Sequence, residues 1–115
     1  MAFTDAALIA GTNGITAAFP YVSLHSADPG TTGTNETTAS RILPTWPAAS
    51  GTGDATVSTL NFTGGTASGA CTYVGLWSAA SGGTFGGGFP LSGNQTFNAS
   101  GQYTVNTLTV NAQAN

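Results

Sequence analysis

Residues 21–32 read YVSLHSADPGTT, and residues 73–84 repeat the pattern as YVGLWSAASGGT, with seven of the twelve positions identical. In each segment a valine and a leucine stand two positions apart, which is the spacing of side chains on one face of a β-strand. A cluster of Ser, Asp, Pro or Gly then ends the strand and predicts a turn. The pair indicates one strand-and-turn unit used twice, either by duplication or by chance in a chain rich in Ala, Gly, Ser and Thr.

Further alternating patterns extend this β interpretation along the chain. Strong runs occupy residues 40–43, 55–62, 71–77 and 102–110, and weaker runs occupy residues 85–91 and 95–98. The last strong run alternates only after a slip between Val105 and Leu108, so we expect a bulge near Asn106. About seven short strands predict an all-β fold, an antiparallel β-sandwich of jelly-roll type.

A short helix is predicted before the strands. Thr4 can cap its start, and Phe3 can pack on Leu8 as a hydrophobic staple. Gly11 is placed to end it, because glycine commonly follows the last helical turn. The chain reads as a single domain, residues 1–115, with a helix or arm at 1–19 and the β-sandwich at 20–115.

The charge content excludes several classes of protein. The sequence has one arginine, no lysine and four carboxylates, so charged residues make up 4% of it, against about a quarter in a typical soluble domain. Nucleic acid is excluded as a partner, because phosphate neutralisation needs several cations. The chain has no run of about 18 apolar residues and no signal-peptide pattern, so we expect no membrane contact and synthesis in a cytoplasm without export. An exterior with so little charge favours permanent association.

No pattern of catalytic or cofactor-binding residues is present. One His, one Cys and four scattered carboxylates match no zinc, calcium or nucleotide motif, so we expect no metal, no cofactor and no enzymatic activity. His25, with Ser26 and Asp28 nearby, lacks the specificity of a triad. Its counterpart in the repeat is Trp77, which favours a packing role for both rings. Cys71 is expected to be a small buried side chain.

Contact residues are expected on the loops at 28–36 and 48–54. The sequence Asp-Pro-Gly at 28–30 predicts a fixed turn. Arg41, the sole cation, can pair with Glu36 or Asp28, or it can face a partner. The candidate structural and contact residues are His25, Asp28, Pro29, Gly30, Asn35, Glu36, Arg41, Trp46 and Trp77.

The order of these segments resembles small virion proteins of tailed phages that infect actinobacteria. In that family a short helix precedes a Ser-Leu-His-Thr-Ala-Asp-Pro-Gly segment, then Asn-Glu, Ala-Arg and a Gly-(Phe/Leu)-Trp strand. This chain has SLHSADPG at 23–30, NE at 35–36, ASR at 39–41 and GLWSA at 75–79 in the same order. It departs from the family in its helix, which is shorter and interrupted by glycine.

The resemblance implies a non-enzymatic β-sandwich protein of the phage particle, described variously as tail-fibre-like, minor tail or minor capsid. We expect a capsid decoration protein on the virion surface, bound to the major capsid protein and to copies of itself, with a trimer as the expected oligomer. The alternative is a minor tail or tail-fibre-like protein in host attachment, recognising glycans through Trp46, Trp77 or tyrosines. A cell-wall hydrolase fragment is a further alternative that lacks an acid/base pair.

Overall fold

The computed structural model describes residues 3–113, which form one helix followed by five strands. Helix α1 spans Asp5–Ala18, and the strands are β1 Tyr21–His25, β2 Asp54–Phe62, β3 Tyr73–Trp77, β4 Phe85–Pro90 and β5 Tyr103–Asn111. All pairings are antiparallel. We call the three-stranded sheet, with strand order β1-β3-β4, sheet A, and the two-stranded sheet of β2 and β5 sheet B.

The two segments of the sequence repeat lie side by side in sheet A. β1 and β3 pair about Ser23 and Gly75, which places His25 opposite Tyr73. The valine and leucine of each segment therefore reach the same face of the sheet. The buried residues of that face are Val22, Leu24, Val74 and Leu76.

Sheet B contains the slip in alternation seen in the sequence, but the bulge expected near Asn106 is wrong, because both strands slip together and the register between them does not shift. In β5 the buried residues change phase between Val105 and Leu108, and in β2 they change phase between Val57 and Leu60. Because each strand has two consecutive outward residues at this point, the pairing register is the same on either side. Thr59, within the slip, has a φ of 56°, a left-handed conformation that β-branched residues rarely adopt.

One hydrophobic core joins the two sheets. Buried apolar side chains from both sheets belong to a single cluster, which also contains Ala39, Cys71 and Phe97. Cys71 is buried as predicted, and burial raises the pKa of its thiol to about 11. Trp46, expected among the contact residues, packs against this core, and its Nε1–H donates to the Pro20 carbonyl at 2.9 Å.

The protein is β-rich, with one short helix and two antiparallel sheets. The predicted number of about seven strands is wrong, since the described residues form five. Residues 40–43 contribute one bridge, between Ile42 and Val22, and residues 95–98 contribute another. Pro44 follows the first of these segments and has no N–H with which to extend a ladder. The jelly-roll sandwich stays a prediction, because a sheet of three strands and one of two do not make up the eight strands of that fold.

Helix α1 continues past Gly11, so the prediction that this glycine ends it is wrong. Tertiary hydrogen bonds hold the helix here. The buried Thr12 hydroxyl donates to the Gly53 carbonyl at 2.6 Å and accepts from the Ala112 N–H at 2.9 Å. Asn13 accepts from the loop before β2 through its side-chain oxygen. These contacts with distant segments offset the low helix propensity of glycine.

The start of helix α1 follows the prediction in part. The Thr4 hydroxyl accepts from the Ala7 N–H at 3.2 Å and caps the helix. Phe3 stays 60% exposed, so any contact with Leu8 buries little of its ring. In the described part of the chain, no helix is long and apolar enough to cross a membrane.

Candidate functional site

The face of sheet A that points away from the core is also buried. Ser23 and His25 have no exposed surface, and Trp77 is 8% exposed. Residues 26–36, which we call the covering loop, contact this face, because Gly33 lies against the Trp77 ring and Pro29 lies beside β4. The side chains enclosed here, which we call the polar cluster, are Ser23, His25, Arg41, Trp77 and Phe85.

A chain of hydrogen bonds runs through the polar cluster. The Trp77 Nε1–H donates to Ser23 Oγ at 2.9 Å, and Ser23 Oγ lies 2.7 Å from His25 Nε2. His25 Nδ1 lies 2.8 Å from the Thr34 carbonyl, which can only accept. The imidazole proton is therefore assigned to Nδ1, and the Ser23 hydroxyl donates to Nε2. Each buried side-chain nitrogen and oxygen within residues 3–113 has a hydrogen-bond partner, which removes most of the cost of burying it.

Aromatic rings fill the rest of the polar cluster. The rings of His25 and Trp77 are stacked, with centroids 6.4 Å apart and planes 8° apart, and Phe85 meets both of them edge-on. Glycines leave room for these rings. A Cβ at Gly75 would lie 2.5 Å from His25 Nε2, and a Cβ at Gly33, where φ is 77°, would lie 2.5 Å from the Trp77 ring.

The covering loop is held by the predicted Asp-Pro-Gly turn. Asp28 Oδ1 accepts from the Gly30 N–H at 2.8 Å, and Asn35 Nδ2 donates to the Asp28 carbonyl at 3.1 Å. The carbonyl of the buried Pro29 accepts two backbone N–H groups from later in the loop. Candidate residues of this loop therefore brace it internally.

Arg41 closes the open side of the polar cluster. Its Nε and Nη2 donate to the two carboxylate oxygens of Glu36 at 2.8 and 2.9 Å, and Nη1 donates to the carbonyls of Ala79 and Gly82, both at 2.8 Å. The guanidinium carbon lies 3.9 Å from the Trp77 ring centroid, a cation–π distance. Of the pairings that the sequence left open, the structure contains the one with Glu36. The Arg41 side chain is 8% exposed, so little of it faces outward.

Ser23 and His25 are as close as a nucleophile and its general base, but a substrate cannot reach them. Both side chains are fully buried, and the group that orients His25 is the neutral Thr34 carbonyl. Burial lowers the pKa of His25 below its usual range, against smaller opposing effects of the Thr34 hydrogen bond and the Glu36 charge, while Arg41 adds to the lowering. The arrangement fastens the covering loop to sheet A.

The structure brings together most of the predicted site residues. The covering loop and the polar cluster contain His25, Asp28, Pro29, Gly30, Asn35, Glu36, Arg41 and Trp77, whereas Trp46 lies against the core. The sequence reasoning did not select Ser23, Thr34, Gly75 or Phe85. One signal in the sequence could have revealed Ser23 and Gly75. They occupy the same position in the two repeat segments, and the change from serine to glycine indicates that a side chain fits at this position in only one of the two strands. Among residues 3–113, no three His, Cys, Asp or Glu side chains lie close enough to hold a metal ion.

The family of the podophage GP4 fiber I protein gp80 matches the chain over residues 4–113. The chain belongs to this family. The matched span takes in helix α1, both sheets and the polar cluster. No curated protein and no solved structure matches the chain.

Membership of this fibre family makes the protein a structural component of a bacteriophage particle. It supports the tail-fibre alternative that the sequence left open. Capsid decoration, the first expectation, does not follow from it. The link to phages of actinobacteria through the SLHSADPG segment stays a prediction.

Proposed function

We propose that this protein is a non-enzymatic module of a phage tail fibre that works by permanent contact with copies of itself and with other virion proteins. The match of the fibre family over residues 4–113 is the observation that carries the proposal. The low charge of the chain supports it, because few like charges oppose close packing of many copies.

The buried state of the polar cluster supports a role without catalysis. The sequence contains one histidine, and its imidazole lies beneath the covering loop with both ring nitrogens engaged. A substrate has no route to Ser23 unless the loop unfolds. Incubation with purified peptidoglycan should give no soluble product, and turnover by the folded protein would contradict this part of the proposal.

The uncharged outer edge of β2 in sheet B supports assembly into a homo-oligomer, with a trimer as the expected state. Within residues 3–113, residues 55–62 make backbone hydrogen bonds to β5 and to no other segment. This β2 edge has no charged side chain over residues 55–62, and the neighbouring Leu43 is 57% exposed. Charged side chains on an edge strand oppose pairing with another chain, so their absence from this edge favours such pairing.

Light scattering after gel filtration tests this assembly. The wild-type chain should elute as an oligomer, and Ser58→Lys should dissociate it, because a lysine on the β2 edge opposes pairing with another strand. Thr107→Lys is the matched control, since Thr107 lies opposite Ser58 in the same exposed face but on β5. A wild-type monomer at all concentrations would remove self-assembly from the proposal without affecting family membership.

Capsid decoration is the second candidate function. The small size and low charge of the chain suit a protein clamped in many copies over the joints of a shell, where it would bind the major capsid protein. Quantitative mass spectrometry of purified particles separates the candidates. A copy number of a few to a few tens supports the fibre, and hundreds of copies support the capsid surface. Antibody labelling in electron micrographs gives the location directly.

A further inference from the structure

A pocket opens beside the start of β5, outside the polar cluster. Its volume is about 450 Å³, and it lies between that strand and residues 92–98. No charged residue lines it. The lining side chains used below are Asn94, Thr96, Asn98, Gln102, Tyr103 and Asn106.

Internal hydrogen bonds position the walls of this pocket. Asn98 Oδ1 accepts from the backbone N–H groups of Ser100 and Gln102, both at 2.9 Å, and Asn98 Nδ2 donates to Gln102 Oε1 at 3.3 Å. The Tyr103 hydroxyl donates to the Asn94 carbonyl. The loop is therefore tied to the start of β5, and a ligand would meet side chains already in place.

Several polar groups on these walls remain available. The Asn94 Oδ1 is engaged by Thr96 and the Gln102 Oε1 by Asn98, while Asn94 Nδ2, Gln102 Nε2 and the whole Asn106 amide make no hydrogen bond to any residue from 3 to 113. Side-chain amides offer both donors and acceptors, which matches a ligand whose hydroxyl groups both donate and accept. The half-buried Tyr103 ring adds an apolar surface beside them.

The absence of charged residues from the pocket lining argues against charged ligands. A phosphate or carboxylate ligand is normally held by Lys or Arg, and the chain's one cation, Arg41, is bonded to Glu36 elsewhere. A cationic ligand would require a carboxylate, and the pocket lining contains none. The chemistry that fits is neutral and rich in hydroxyl groups.

We propose that this pocket binds a neutral saccharide. Its volume lies within the range of about 300–1,000 Å³ typical of small-ligand sites. Uncharged hydrogen bonds in an open pocket give weak binding at one site, and repeated copies on a particle would add avidity. Tyr103 is one of the tyrosines expected to recognise glycans, and its half-buried ring lines this pocket, whereas Trp77 is enclosed in the polar cluster. The proposal does not depend on how copies of the chain assemble.

Titration of the isotope-labelled full chain with defined saccharides, followed by amide NMR spectra, tests this site. The neutral probes are maltotriose, mannotriose and chitotriose, and trigalacturonate is the anionic probe. At least one neutral probe should shift the signals of Gln102 and Asn106 with a dissociation constant in the millimolar range. Asn106→Leu and Gln102→Ala should each weaken binding about five-fold or more, the loss of one hydrogen bond. Gln113→Ala, an exposed amide outside the pocket, should leave binding unchanged.

Three results would overturn the proposal. The first is the absence of any shift at pocket residues with all three neutral probes at millimolar concentration. The second is equal binding of trigalacturonate, because a pocket without cations should disfavour it. The third is unchanged affinity in both pocket variants. Gln102 and Asn106 are exposed, so the variants should keep the wild-type spectrum elsewhere, and this agreement shows that a loss of binding is local.

Discussion

In sheet A, four of the five residues of β1 and of β3 are buried, so both faces of these two strands are covered, whereas β2 and β5 of sheet B alternate between buried and exposed residues. One face of sheet A packs on the core, and the other is covered by the covering loop and Arg41. This second face contains the hydrogen-bonded side chains of the polar cluster. Sheet B leaves a face of Thr, Ser and Asn in contact with solvent. The comparison shows that His25, Glu36 and Arg41 close one side of sheet A, while uncharged polar groups make up most of the outer face of sheet B.

This difference has an energetic consequence. The enclosed side of sheet A depends on close contacts and on paired buried groups, and both are costly to disturb. The exposed face of sheet B has room to adjust and water to replace a lost partner. We therefore expect substitutions in the polar cluster to destabilise the fold far more than substitutions in the outer face of sheet B.

The largest effect is expected from Gly75→Ala in sheet A. The new Cβ would lie 2.5 Å from His25 Nε2 and 2.7 Å from Ser23 Oγ, so the free energy of unfolding should fall by about 3 kcal/mol. Urea denaturation measures the change. Gly14→Ala is the control, because a Cβ there meets nothing within 4 Å, and this helical position should gain about 0.5–1 kcal/mol. Equal stability of Gly75→Ala and wild type would show that the polar cluster is loosely packed.

Arg41→Ala should have the next largest effect. It leaves the Glu36 carboxylate and two carbonyls without their donor, so we expect a loss of about 2 kcal/mol. Arg41→Lys keeps the charge but not the planar fork, and it should recover part of the loss. Thermal melting and gel filtration should be measured together. If Arg41→Ala melts like the wild type but no longer assembles, Arg41 contacts a partner, which was the second possibility drawn from the sequence.

Acid should weaken sheet A through His25. Burial lowers the pKa of His25 in the folded protein below its unfolded value of 6.5, so the unfolded chain binds the proton first. The stabilisation is fully present above about pH 6.5 and is lost as the pH falls from there towards the lowered folded pKa. Urea midpoints of wild type and His25→Asn, measured across this range, provide the test. An equal slope in both proteins would assign the acid sensitivity to other groups.

The smallest effect is expected at Thr59 in sheet B. Asparagine tolerates its left-handed conformation better than threonine, so Thr59→Asn should raise stability by about 0.5 kcal/mol. Thr107→Asn on the paired strand has no such strain to relieve, and it should lower stability by a similar small amount. Differential scanning calorimetry resolves the two changes. A clear destabilisation by Thr59→Asn would argue that the slip needs the threonine itself.

The polar cluster was partly predictable because some of its contacts are local. The Asp-Pro-Gly turn lies within three consecutive residues, and Arg41 meets Glu36 five positions away. Ser23 and Gly75 lie 52 positions apart, and no local pattern reveals that their strands pair through them. The amide-lined pocket, formed by residues 92–106, was missed for a different reason, because polar amides and hydroxyls occur along the whole sequence and mark no particular site.

The sequence alone determined the features that depend on neighbouring residues. Alternating apolar residues predicted β1 and most of β2 and β5, and Thr4 predicted the start of helix α1. The scarcity of charged residues predicted an exterior of uncharged polar groups. The tertiary structure decided where helix α1 ends, because Thr12 is held by segments 41 and 100 positions away. It also decided which β patterns became strands, since a strand exists only where a partner satisfies its backbone groups.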